Sequence, residues 1–180
     1  MAGPRRAIVG VMGSGEADRS RRAVDLGAWL ATQGVHLLTG AGGGVMKSVS
    51  QAFRRVQPRP GVVLGIVPGE VRAGSYEPAA GYPNEDVEVA IFTHLPLSGA
   101  SGGSERSRNH VNVLTADIVI ALPGGAGTSS EVRLALQYGQ PLICYLKDRA
   151  EIPDLPEETR AVSTLGEVQD FVRARLAERR

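Results

Sequence analysis

The chain has 180 residues, of which 42% are apolar and 22% are charged, a composition typical of a globular protein with its own core. The 20 Lys and Arg residues nearly balance the 19 Asp and Glu residues, and the net charge of +1 excludes nucleic-acid binding driven by bulk charge. A single cysteine excludes an intramolecular disulfide and a cysteine-based zinc site.

The chain is expected to form one domain over residues 1–180. No apolar run reaches the ~18 residues of a membrane span, and no signal-peptide pattern follows Met1. We therefore expect a cytoplasmic protein with no membrane partner.

Short β-branched runs, typical of strands buried on both faces, alternate with helical patterns along the chain. The strand patterns cover residues 7–12, 35–39, 62–67, 87–92, 117–122, 142–146 and 161–163. The helical patterns cover residues 19–33 (with Asp18 as N-cap and Arg19 near the expected cleft), 45–53, 104–115, 128–138 and 165–179. Residues 69–86 lack a period and are expected to be irregular. The alternation predicts an α/β doubly wound sheet of six or seven mostly parallel strands, with helices on both faces.

Glycine is the outlier of the composition, with 23 residues that cluster between the apolar runs. Three clusters directly follow the first, second and fifth strand patterns, and the carboxyl ends of parallel strands meet at one edge of a sheet. We expect these turns to form one site, where a phosphate can approach the backbone closely. The candidate binding residues are Gly13, Ser14, Gly15, Gly42, Gly43, Gly44, Met46, Arg108, Gly124, Gly125, Gly127 and Thr128.

The turn at residues 123–131, PGGAGTSSE, follows a strand pattern and opens a helix. A helix N-terminus presents free N–H groups and about half a positive charge, so this turn is a candidate anion site, with Thr128 as a further donor. Thr128 and Glu131 also match the S/T-x-x-E capping box, in which Glu131 would bond back to the cap residue. Glu131 therefore has two open roles, one in a ligand site and one purely structural.

Three basic residues, Arg106, Arg108 and His110, come just after another glycine-rich loop. An arginine at such a position can bind a phosphate with two parallel hydrogen bonds, and the alternative for each residue is a solvated helix start. The glycine turns do not fit standard nucleotide motifs. Asp18 stands where G-x-G-x-x-G needs a third glycine, strand two ends in Thr39 rather than an acid, and no G-x-x-x-x-G-K-[ST] loop is present.

The GAGGGVM turn at residues 40–46, Arg108 and the PGGAGTSSE segment together resemble the LOG ("Lonely Guy") superfamily, whose members were long mislabelled lysine decarboxylases. The resemblance covers roughly residues 7–145 and implies a Rossmann-like fold, a homodimer or homotetramer, and a small phosphorylated ligand. Lysine decarboxylation itself is excluded, because Lys47 and Lys147 are the only lysines and neither lies in a pyridoxal-phosphate context.

Two branches of the superfamily imply different functions. Phosphoribohydrolases cleave nucleoside 5′-monophosphates to base and ribose 5-phosphate, and this resemblance implies Arg108 and Glu131 as catalytic residues. Their Arg-Lys pair falls on Arg108 and Asn109, so the lysine is absent here. The VGVMGSG opening at residues 9–15 and the SRN run at 107–109 are more similar to the molybdenum-cofactor carrier proteins, which bind a phosphorylated pterin carrying molybdenum.

We therefore expect a carrier-like binding protein with the molybdenum cofactor as cargo, no metal site of its own and no nucleic-acid partner. A nucleoside 5′-monophosphate phosphoribohydrolase is the alternative, and a nucleotide-sensing regulator without turnover is a third hypothesis. Whether the chain is an enzyme stays open at the level of sequence.

Overall fold

A computed structural model describes residues 5–16 and 21–179 of the chain, so the expected cap Asp18 and the neighbouring Arg19 lie outside the described residues. The strands in these ranges are β1 (Ile8–Met12), β2 (His36–Thr39), β3 (Val63–Val67), β4 (Gly69–Arg72), β5 (Ser75–Pro78), β6 (Val89–Phe92), β7 (Ile118–Ala121), β8 (Leu142–Tyr145) and β9 (Ala161–Val162). The α-helices are α1 (Arg21–Ala31), α2 (Gly44–Arg55), α3 (Asn109–Thr115), α4 (Ala126–Gln137) and α5 (Leu165–Ala177). Two short 3₁₀ turns cover Gly99–Ser101 and Arg149–Glu151.

Seven of the described strands form one parallel sheet in the order β6-β3-β2-β1-β7-β8-β9. The chain builds outward from β1 through β2, β3 and β6, and then returns to the other side of β1 with β7. The strand order therefore reverses between β1 and β7, which is where ligands of doubly wound folds bind, beyond the carboxyl ends of the strands. The prediction of a doubly wound, Rossmann-like α/β fold with six or seven mostly parallel strands is confirmed, and the sheet has seven.

Helices cover both faces of this sheet. One buried cluster joins α1, α2 and α5 to the sheet and includes Leu26, Val49 and Val172. A second buried cluster joins α3 and α4 to the opposite face and includes Val113 and Leu134. Successive residues of a strand point to opposite faces, so the β-branched runs that predicted the strands serve both clusters. No helix in the described ranges is long and apolar enough to cross a membrane.

The expectation of irregular structure over residues 69–86 is wrong in its first half. Strands β4 and β5 form an antiparallel hairpin that pairs Gly69 with Pro78 and Arg72 with Ser75. Its two turn residues, Ala73 and Gly74, have φ of 47° and 82°, the geometry of a two-residue hairpin turn. The hairpin is mostly exposed and carries polar residues, so it lacks the apolar run on which the other strand predictions depended.

Helix α3 begins at Asn109, five residues later than the expected start at residue 104. Serine hydroxyls compete for backbone N–H groups in the missing turn: Ser104 Oγ accepts from Arg106 N at 3.3 Å, and Ser107 Oγ accepts from Asn109 N at 3.1 Å. As a result, Arg108 lies at the start of the helix rather than within it. This position directs the arginine toward the carboxyl edge of the sheet.

A charged pair ties α1 to the loop that follows β8. The guanidinium of Arg22 donates to both carboxylate oxygens of Glu151 at 2.8 Å, and these hydrogen bonds lower the pKa of Glu151 to about 2. The backbone carbonyl of Glu151 in turn accepts from Gly124 N at 3.0 Å. The pair therefore also fixes the glycine turn after β7.

Candidate functional site

A cavity of about 350 Å³ opens at the carboxyl ends of the central strands. Nine residues selected from the sequence line it: Gly13, Ser14, Gly15, Met46, Arg108, Gly125, Gly127, Thr128 and Glu131. They come from the turns after β1 and β7, from α2, from the start of α3 and from α4. The structure thus brings residues that are far apart in sequence to one place at the reversal of strand order, and their binding roles stay predictions.

Four other glycines selected from the sequence lie outside the lining, namely Gly42, Gly43, Gly44 and Gly124. They allow the loops to approach one another. A Cβ on Gly44, whose φ is 56°, would overlap the carbonyl oxygen of Ser14, and a Cβ on Gly124 would overlap the hydroxyl of Thr128. Val45 N also donates to Ser14 O at 2.9 Å, so the turn after β1 already occupies part of the α2 N-terminus. Direct ligand contact by these four glycines stays a prediction.

The N-terminus of α4 lines the cavity, and its N-cap residue Gly125 makes no side-chain capping bond among the described residues. Gly125 is the extended N-cap residue, and the backbone bond from Ser129 N to its carbonyl, at 3.0 Å, closes the first turn. The N–H groups at residues 126–128 therefore precede the hydrogen-bond ladder and are available to an anion, with the positive end of the helix dipole behind them. Thr128 lies at the third helical position and is 3% exposed.

The capping-box interpretation of Glu131 is wrong, because Thr128 lies inside the helix instead of capping it. The Glu131 side chain is buried beside the cavity, and its Oε1 accepts from Asn112 Nδ2 at 2.9 Å. Burial raises the pKa of Glu131, whereas the charge of Arg108 and the bond from Asn112 act in the opposite direction. The carboxyl group of Glu131 therefore keeps its proton up to a higher pH than an exposed glutamate does.

Arg108 is the cation of the cavity and is only 3% exposed. Its guanidinium packs against Gly40, where any Cβ would overlap it, and lies 5.8 Å from the ring centroid of Tyr82. The Nε and Nη1 atoms are buried and have no hydrogen-bond partner among the described residues. Buried donors without a hydrogen bond are costly, and Arg108 lines the cavity, so its guanidinium is the candidate partner of an anionic ligand.

The other two cationic candidates do not reach the cavity. Arg106 is exposed and absent from the lining. His110 Nδ1 is 2.7 Å from the hydroxyl of Tyr138, and the two rings contact each other edge to face between α3 and α4. Arg106 is therefore a solvated residue, and His110 has a structural contact between two helices. Neither residue is in a position to bind a ligand in the cavity.

The cavity also contains residues that sequence reasoning missed: Glu16, Tyr82, Ser98, Gly99, Ala100 and Asn109. Gly99 has φ of 57° and belongs to a glycine cluster that the sequence does show, although no strand directly precedes it. Asn109 fills the position of the missing lysine, and its Nδ2 donates to Ser130 Oγ at 2.9 Å. Tyr82 comes from the segment expected to be irregular, where no periodic pattern signals it.

No group of three or more His, Cys, Asp or Glu side chains in residues 5–16 and 21–179 is placed to hold a metal ion. The polar groups of the cavity are instead backbone N–H groups, a guanidinium, hydroxyls and carboxyls. The N–H groups, the guanidinium and the hydroxyls are donors that can bind a phosphate, whereas an ionised carboxyl group only accepts hydrogen bonds.

The family model described as "SLOG cluster4 family" matches residues 6–172. Among proteins compared by sequence, an uncharacterized protein of Archaeoglobus fulgidus is 28% identical over 134 residues, which cover 73% of this chain and 75% of that protein.

Two solved structures resemble the chain over nearly their whole length. The molybdenum cofactor binding protein of the phototrophic bacterium Rippkaea orientalis is 30% identical with a TM-score of 0.74, and the match covers 96% of this chain and 98% of that one. The molybdenum cofactor carrier protein of Chlamydomonas reinhardtii is 26% identical with a TM-score of 0.70, and the match covers 96% and 99% of the two chains.

The contact between Gly40 and Arg108 allows a direct test of whether Arg108 binds an anion in the cavity. In the variant Gly40→Ala the new methyl group would displace the guanidinium, so we expect the affinity for inorganic phosphate to fall about 10-fold or more, in line with the loss of a charge-assisted hydrogen bond. Isothermal titration calorimetry measures this affinity, and circular dichroism verifies the fold.

Gly103→Ala is the matched control, because a Cβ at that position meets no atom within 4 Å. Its phosphate affinity should equal that of the wild type. Wild-type phosphate affinity in Gly40→Ala would show that Arg108 does not hold the anion.

Proposed function

The chain belongs to the SLOG cluster4 family, and from this premise we propose that it binds and carries the molybdenum cofactor, a phosphorylated pterin that holds molybdenum. The observation that carries the proposal is the buried Arg108, whose Nε and Nη1 have no hydrogen-bond partner in residues 5–16 and 21–179, in a cavity that the N-terminus of α4 also lines. The volume of the cavity, about 350 Å³, falls in the ~300–1,000 Å³ range of small-molecule sites. The solved structures of a cofactor-binding and a cofactor carrier protein, at 30% and 26% identity, support the same ligand class.

In this proposal the chain binds and protects its cargo without breaking a bond. The N–H groups at residues 126–128 and the hydroxyl of Thr128 hold the phosphate, and Arg108 supplies the compensating charge. Burial raises the pKa of Glu131, which favours the neutral carboxyl form and so reduces repulsion of the anion. We expect the carrier to act in the cytoplasm, with no membrane or nucleic-acid partner.

Phosphoribohydrolase activity is the second candidate, and the position of Glu131 favours it. Its carboxyl group lies in the cavity with Arg108 instead of capping α4. As a carboxylate it would stabilise the positive charge that develops on the ribose when the N-glycosidic bond breaks. Arg108 would then position the substrate. However, the lysine of the phosphoribohydrolase Arg-Lys pair is replaced here by the neutral Asn109, which is hydrogen-bonded to Ser130. This replacement favours the carrier function over the hydrolase.

Cofactor binding is the first prediction of the proposal. Purified protein should take up the molybdenum cofactor saturably, measured as molybdenum and pterin that remain with the protein after gel filtration. Arg108→Gln should lower the affinity about 10-fold or more, because it removes the charge that faces the phosphate. Glu131→Gln should bind at least as well as the wild type, because it removes a potential negative charge.

Arg106→Gln is the matched control, since Arg106 is exposed outside the cavity, and its affinity should be unchanged. Absence of saturable binding by the wild type would refute the carrier function. Incubation with AMP, CMP, GMP, UMP and IMP tests the second candidate in the same preparation. The carrier should release no free base, whereas a phosphoribohydrolase should release it and lose about 100-fold or more of that rate in Glu131→Gln.

We also propose that the chain forms a homodimer or homotetramer. Three apolar side chains of the edge strand β6 are exposed, Val89 by 44%, Ile91 by 39% and Phe92 by 55%, and Leu114 of α3 is exposed by 53%. The apolar residues of α2, by contrast, are mostly buried in the core of the chain, which leaves that helix little apolar surface for an interface.

The second prediction is that the exposed apolar residues of β6 form the contact between copies of the chain. Ile91→Glu should shift the mass measured by sedimentation equilibrium from an oligomer to a monomer, because a charge would enter the apolar contact. Val24→Glu on α1 is the control, since Val24 is 38% exposed on a different surface. A monomeric wild type, or an oligomer that both variants leave intact, would contradict this interface.

A further inference from the structure

Tyr82 is the aromatic side chain of the cavity and lies outside every motif that the resemblance supplies. Its ring approaches Gly42: a Cβ on that glycine would stand 3.0 Å from the Tyr82 hydroxyl and 3.1 Å from its Cε1. The methyl group of Met46 lies on the same side of Gly42. Tyr82 and Met46 thus both pack against Gly42, and both line the cavity.

The segment that carries Tyr82 is anchored to the glycine turn after β2. Asn84 N donates to the carbonyl of Ala41 at 2.8 Å, and Asn84 Nδ2 donates to the carbonyl of Gly42 at 2.7 Å. The side-chain oxygen of Asn84 also accepts from Asp86 N at 3.0 Å. These bonds fix the backbone two residues beyond Tyr82, so the position of the ring is determined by the fold rather than by chance contact.

The cavity therefore has two chemically different sides. The N-terminus of α4 with Thr128 supplies donors for an anion. Tyr82 and Met46 supply an aromatic ring and a polarizable thioether, groups that pack well against a planar heteroaromatic ring. Arg108 also lines the cavity, with its guanidinium carbon 5.8 Å from the Tyr82 ring centroid.

We propose that Tyr82 determines specificity at this site by packing against the ring system of the ligand, while the anion side recognises the phosphate alone. This inference rests on the proposed function and deepens it, because it assigns the ring part of a phosphorylated heteroaromatic ligand to a residue of the segment between β5 and β6. Tyr82 is a ligand contact in this proposal and has no catalytic role.

The test compares a ligand that has a ring with one that lacks it. The affinities of wild type, Tyr82→Ala and Tyr82→Phe are measured by calorimetry for the molybdenum cofactor and for inorganic phosphate. Tyr82→Ala should lower the affinity for the cofactor about 10-fold or more, in line with aromatic stacking on heterocycles, and should change the affinity for phosphate less than about 2-fold. Tyr82→Phe should keep the cofactor affinity of the wild type, because the ring is retained.

Tyr138→Ala is the matched control, since Tyr138 is a partly exposed tyrosine that contacts His110 outside the cavity. It should bind both ligands as the wild type does. Equal cofactor affinity in wild type and Tyr82→Ala, or an equal loss for cofactor and phosphate, would overturn this inference and leave the proposed function standing. Failure of the wild type to bind the cofactor would overturn both.

Discussion

The structure of the site depends on one costly feature, the burial of Arg108 with two donor atoms that find no hydrogen-bond partner in the described part of the chain. A protein tolerates buried donors without partners when a ligand supplies the missing hydrogen bonds or when function requires the group. Gly40 makes this arrangement possible, because any side chain at that position would occupy the space of the guanidinium. The same cavity is lined by the N-terminal residues of α4 and by Tyr82, whose ring centroid lies 5.8 Å from the guanidinium carbon.

The topology of the sheet explains why distant residues meet here. The reversal of strand order between β1 and β7 leaves a crevice where the following turns diverge, and the turn after β2 supports the turn after β1 from the side. The glycines of these turns have two different tasks. Gly125 is the N-cap of α4, where a Cβ would meet no atom within 4 Å, whereas Gly44 and Gly124 permit backbone and side-chain contacts that a Cβ would prevent.

The strands of the sheet and the glycine turns at the cavity could be predicted from the sequence. Buried parallel strands are rich in β-branched residues, and the turns that follow them here are rich in glycine. The start of α3 could not, because the hydroxyls of Ser104 and Ser107 replace helical bonds in a stretch whose composition is compatible with a helix. Tyr82 could not, because its position depends on hydrogen bonds from Asn84 to a turn about 40 residues earlier in the chain. The role of Glu131 was open for a similar reason, since the motif alone does not show where α4 begins.

A crystal structure of the protein with bound molybdenum cofactor tests the central claim most directly. The account predicts that the phosphate lies within hydrogen-bonding distance of the N–H groups at residues 126–128 and that the cofactor supplies the missing partner of Arg108. A cofactor bound elsewhere on the chain, or a bound cofactor that leaves the Arg108 guanidinium unpaired, would contradict it.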